Sequence, residues 1–143
     1  MMPGADFQAC LETPHLSKAS AAADSIARDI AQAQELLSMA AEKYKASSAA
    51  GSSGDPADIS LLSYRAMYSA AKALVHHGGY QFSNFSCLIA ALNELFVSNN
   101  KLDKNLVDQL LASQALRGEA ADHVKAAKVF VAKSKDITGG PAR

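Results

Sequence analysis

Tryptophan is absent, and aromatic residues of all kinds make up only 6% of the chain. No apolar run approaches the roughly 18 residues that cross a bilayer as a helix, so no membrane span is expected. The opening stretch MMPGADFQAC lacks the apolar core of a secretory signal. There are only two cysteines, Cys10 and Cys87, too far apart to form a metal-binding spacing. They are expected as free thiols in a reducing cytosol, which makes the chain cytoplasmic. Neither sign of charge is in excess, because Lys+Arg and Asp+Glu both number 14. That balance neither points to nucleic acid nor excludes it, so any RNA contact has to come from a local patch. No sustained alternating run lies between turn residues, so no strand is expected.

What is present in quantity is alanine, a strong helix former. The 143 residues are 49% hydrophobic and 20% charged, the profile of one ordinary globular domain with a real core. Phe7, Cys10 and Leu11 suit one short turn docked on that core before Pro14 resets the chain. A long helix is expected over about Ser17–Lys45. Its apolar positions Ile26, Ile30, Ala33, Leu37, Ala40 and Tyr44 step by three and four, which is a helical stripe. The segment Ser47–Pro56 reads as a flexible loop. Asp55 before Pro56 is a good helix entry, with a side-chain acceptor at the cap and a proline whose missing N–H costs nothing there.

The next helix is expected to end at about His76, before Gly78 and Gly79. Ser83 or Asn84 can cap another, with Phe85, Leu88, Ile89, Leu92, Leu95 and Phe96 inward. Asp103 can cap a fourth, facing Leu106, Val107, Leu110 and Leu111 to the core. Gly118 bends or breaks it, and a last helix is expected over Ala120–Lys135. The tail from Thr138 is expected to be disordered. The predicted fold is all-α, an antiparallel up-down bundle of four to five helices. Its parts are an N-terminal extension (1–16), the bundle (17–136) and the tail (137–143).

Two places carry candidate chemistry. In SYRAMYSAAKALV (Ser63–Val75), Arg65 and Lys72 are seven apart and fall on nearly one helix face. They either invite an anionic partner or snorkel at the bundle rim. His76 and His77 end this helix without the further ligands a metal needs, so neither metal nor cofactor is expected. Arg117 and His123 flank Gly118. On an unbroken helix their side chains would point about 120° apart, but a turn at the glycine can bring both to one mouth. An arginine grips phosphate with two donors, and a histidine exchanges protons near neutral pH. Cleavage of RNA through its own 2′-hydroxyl needs both functions. The alternative is a structural ion pair of Arg117 with Glu119 or Asp122, and an exposed His123.

SYRAMYSAAKALV resembles a helix of the HEPN-domain family, which usually reads Tyr-Tyr-Ala-Met-Phe-His-Ala-Ala-Arg-Ala-Leu-Leu there. LIAALNELFV (Leu88–Val97) and LDKNLVDQLLASQALRGEAADH are similar to the family's following segments. Arg65 and Ser69 replace a tyrosine and a histidine of that pattern, and His123 stands where relatives carry the tyrosine of Ala-Asp-Tyr. The resemblance implies a helical bundle paired as a homodimer. It also implies a metal-independent ribonuclease, with Arg117 and His123 catalytic and Arg65 and Lys72 binding substrate. Such a protein acts as a toxin or defence component beside a nucleotidyltransferase-like antitoxin, with RNA as target. The alternative is a non-catalytic HEPN module that binds a nucleotide or a nucleotidyltransferase-like partner.

Overall fold

The computed structural model describes residues 5–48 and 56–139. These form α1 (Ala5–Glu12), β1 (Leu16–Lys18), α2 (Ala23–Ser48), α3 (Pro56–His77) and β2 (Tyr80–Phe82). Next come α4 (Phe85–Leu92), continued by a π-helical turn over Asn93–Val97, then α5 (Lys104–Gln114) and α6 (Ala120–Gly139). The protein is thus predominantly α-helical.

The centre is α3. Ala66, Met67, Ala70, Ala71, Ala73 and Leu74 are all fully buried on it. Small side chains on most of its circumference let α2, α5 and α6 approach closely. Its Ser63 hydroxyl, buried among them, donates back to the Ile59 carbonyl at 2.9 Å, so no polar atom is orphaned there. The first turns of α3 and α6 meet where Ser60 touches His123. Their far ends meet where His77 and Lys135 line a groove with the start of α2. So α3 and α6 run parallel, and α2 runs antiparallel to both. On α2 the buried row is Ile30, Ala33, Leu36 and Ala40, while Tyr44 of the expected stripe is exposed.

Helix ends follow local rules. Asn84 is the N-cap of α4, accepting from the Cys87 N–H at 2.8 Å. Asp103 is the N-cap of α5 but makes no side-chain cap bond. The π turn and α5 both close in paired reverse bonds of the Schellman type. Lys101 N donates to Phe96 O and Asn100 N to Val97 O. Arg117 N donates to Ala112 O and Leu116 N to Ser113 O. The left-handed residues these closures require are Asn100 (φ 64°) and Leu116 (φ 55°).

Several expectations need correction. Cys10 and Cys87 are not free thiols; they form a disulfide across 77 residues, with Cα atoms 5.7 Å apart. Sequence distance says nothing about spatial distance once α1 docks on α4. Strands are present too: β1 and β2 pair antiparallel, Leu16 with Phe82 and Lys18 with Tyr80. Three residues are too few to show alternation, so this ribbon has no sequence signal. Consequently the long helix begins at Ala23 rather than near Ser17. Six α-helices are described rather than four or five, because α1 is a full helix and Gly118 separates α5 from α6. Ser47 and Ser48 belong to α2, and Thr138 and Gly139 to α6. The rest of the expected loop up to Pro56, with its Asp55 cap, and the tail from Gly140 lie outside the described residues.

Candidate functional site

His123 sits in the first turn of α6 and is 1% exposed. Its Nε2 lies 2.6 Å from the Arg117 carbonyl, and its Nδ1 lies 2.7 Å from the Ser60 hydroxyl. A carbonyl only accepts, so Nε2 carries a proton and donates to it. In the neutral ring, Nδ1 then accepts from the Ser60 O–H. The Schellman closure of α5 presents the Arg117 carbonyl, and Gly118 (φ 90°) turns the chain back toward α6. A Cβ at Gly118 would lie 3.4 Å from His123 Nε2. The ring is therefore a three-way staple joining α3, the α5–α6 turn and α6.

Arg117 and His123 do come together, but through the arginine's backbone. The Arg117 side chain is exposed and makes no ion pair among the described residues, with Glu119 and Asp122 included. Nor is His123 the exposed residue of the alternative reading. Arg65 and Lys72 lie elsewhere: Lys72 is about 18 Å of helix axis from Ser60, and Arg65 is about 7.5 Å along and about 140° around the helix from it. The four residues do not share one site.

Lys72 joins a second polar cluster. Its Nζ is 3.9 Å from Asp29 Oδ1, and His76 Nδ1 is 3.7 Å from Asp29 Oδ2. Asp29 Oδ2 and His76 Nδ1 are buried and have no hydrogen-bond partner. Burial pushes the His76 imidazole below its ordinary pKa; Asp29 pulls it up and Lys72 pushes it further down. The Asp29 backbone carbonyl also accepts from Ser69 Oγ at 2.8 Å. Sequence reasoning missed Asp29 and Ser60. An acid four residues before Ala33 on the buried row of α2 was a usable signal for the first. A lone serine near a helix start gave none for the second.

Aromatic rings run beside this cluster. Tyr64 meets Tyr68 and Phe85 at centroid distances of 5.9 and 6.0 Å. Tyr68 meets Phe82 at 6.2 Å, and Phe82 meets His76 at 6.4 Å. Burial raises the Tyr64 phenol, with the neighbouring Tyr68 adding to it. A separate groove of about 490 Å³ lies between α2 and α6, walled by Ile26 and Ile30. Among the described residues no group of three or more His, Cys, Asp or Glu is placed to hold a metal, and no helix is long and apolar enough to cross a membrane. No protein-family model, curated protein or solved structure matches the chain.

Proposed function

We propose that the chain is a non-catalytic, HEPN-like helical module that works by binding a partner protein. One observation favours this over RNA cleavage: both ring nitrogens of His123 are engaged inside the core. A general base needs a lone pair within reach of the 2′-hydroxyl it deprotonates. Here Nδ1 faces Ser60 and Nε2 is committed to a carbonyl. The Arg117 guanidinium is exposed and makes no ion pair among the described residues.

The disulfide bears on where such a module works. The cytoplasmic expectation rested on free thiols. A cross-linked Cys10–Cys87 pair suits an oxidising compartment better.

The test is cleavage of a mixed RNA pool in EDTA by wild-type protein and by Arg117→Ala. The expected result is no cleavage by either. Cleavage by the wild type that Arg117→Ala abolishes would overturn the proposal in favour of the ribonuclease, and with it the toxin and antitoxin roles. Isolation under alkylating conditions tests the compartment: trapping Cys10 and Cys87 as free thiols would restore the cytoplasmic reading.

A further inference from the structure

The central helix is open to solvent along one lane only. On α3 beyond its first turn and short of its last residue, only Leu61, Tyr64, Arg65, Tyr68, Lys72 and His76 are exposed or half-exposed. At 100° per residue they fall within a sector of about 120°. Asp29 of α2 borders this lane on one side and Phe85 borders it on the other at Tyr64, while Phe82 closes its C-terminal end between Tyr68 and His76. α2 and α4 make no extended contact across it. The sequence-predicted Arg65 and Lys72 are both on this lane, together with Leu61, which is 48% exposed.

We infer that this lane docks an acidic amphipathic helix of a partner protein, an inference that rests on the partner-binding reading above. Three features carry it. First, the anchors Leu61, Tyr64 or Arg65, Tyr68 and Lys72 recur at helical spacing, so a second helix can lay its ridge along them. Second, the charge is complementary to an acidic partner. After Asp58, which answers the positive end of α3, the lane carries no acid of its own. Arg65 makes no ion pair among the described residues, and Lys72 makes only the loose one with Asp29. Third, the aromatic floor is wet at one edge. The Tyr64 and Tyr68 hydroxyls make no hydrogen bond to a described residue, so they are free to meet carboxylates or carbonyls of a partner.

Other occupants fit less well. A second copy packed by a two-fold axis near Tyr68 sets the Arg65 and Lys72 of each chain against those of the other. A nucleic-acid strand needs several spaced cations, and here only two stand about 10 Å apart along the axis. The rings Tyr68 and Phe82 stand edge to face at 82°, an arrangement that fills the floor rather than offering flat stacking faces.

The experiment uses the full chain, disulfide intact, and fluorescence anisotropy of three labelled probes. These are a monomeric helical peptide with a Leu-Leu-Phe stripe flanked by glutamates, the same peptide with lysines for glutamates, and a uridine dodecamer. The glutamate peptide is expected to bind at least tenfold more tightly than the lysine peptide. In the variant Arg65→Glu, at an exposed site that makes no ion pair among the described residues, that preference is expected to be lost while the circular dichroism stays unchanged. Leu61→Ala is expected to weaken the glutamate peptide by about fivefold without changing the circular dichroism. Equal binding of the two peptides, or no binding, overturns the proposal. So does dodecamer binding that depends on Arg65 and Lys72, or a dimer in light scattering that Arg65→Glu dissolves. The RNA-cleavage assay is separate: cleavage dependent on Arg117 would sink the parent reading while leaving the peptide result to stand or fall alone.

Discussion

His123 on α6 accepts a hydrogen bond from Ser60 on α3, across 63 residues of sequence, at an Nδ1···Oγ distance of 2.7 Å. That bond and the one to the Arg117 carbonyl lock the α5–α6 turn onto the start of the central helix. The histidine that looks reactive in the sequence is the fastener of the turn that precedes it.

Ser60→Ala should therefore destabilise the fold by about 1–3 kcal/mol, because it strands a buried ring nitrogen. His123→Ala should cost more, since it loses both bonds and leaves a cavity. Chemical denaturation read by circular dichroism measures both. Wild-type stability in His123→Ala would mean that the ring carries no structural role.

The Cys10–Cys87 bond closes a loop of 77 residues. The chain-entropy argument assigns such a cross-link about 4 kcal/mol. Reduction, or the double variant Cys10→Ser/Cys87→Ser, should lower the thermal midpoint and increase amide exchange first in α1 and β1. An eight-residue helix is marginal by itself, and α1 otherwise rests chiefly on Phe7, whose ring meets Tyr80 at 5.6 Å. Unchanged midpoints with and without dithiothreitol would contradict this.

His76 gives stability a pH dependence of known sign. Its folded pKa lies below the ordinary value, chiefly because burial disfavours the charged ring. The folded state thus prefers the neutral form, and the associated stability is complete above about pH 6.5. It declines as the pH falls through that value toward the folded pKa. His76→Gln should flatten the slope of melting temperature between pH 7 and 5. Lys72→Gln removes a cation that lowers this pKa, so the ring should titrate closer to its usual value in proton NMR. A shift in the opposite direction would refute the assignment of cause.

The α5–α6 turn contains two left-handed residues of opposite suitability. Gly118 (φ 90°) is a residue at ease there, whereas Leu116 (φ 55°) is not, and its side chain is 54% exposed. Gly118→Ala should destabilise by about 1 kcal/mol, while Leu116→Gly should be neutral or stabilising by a few tenths. Equal losses from the two, measured by urea unfolding, would argue against the Schellman closure.

Much of the helical layout was legible in the residues. Pro56, Asn84, Asp103 and Gly118 mark ends or breaks of helices where local chemistry requires them. Phe85, Leu88, Ile89, Leu92, Leu95 and Phe96, and Leu106, Val107 and Leu110, face the core as their spacing demands, because a 3.6-residue period is a property of the chain itself; Leu111, expected with them, is half-exposed. The buried row of α2 was partly misread. Alanines dilute the contrast between its faces: Leu36 is the inner residue where Leu37 is expected, and Tyr44 is exposed. Arg65 and Lys72 were legible as neighbours on one face for the same periodic reason.

The sequence by itself determined that this chain is helical, where most helices start and stop, and which side of α3 carries positive charge. All of these follow from interactions within a few residues. Only the tertiary structure decided that Cys10 meets Cys87, that Leu16–Lys18 finds Tyr80–Phe82, and that Asp29 faces His76. It also decided that His123 is sealed between Ser60 and the Arg117 carbonyl. Those partners lie from 6 to 77 residues apart, and no local periodicity links them. What joins them is the packing of α1 on α4, α2 on α3 and α6 on α3, which a linear pattern of residue types does not encode on its own.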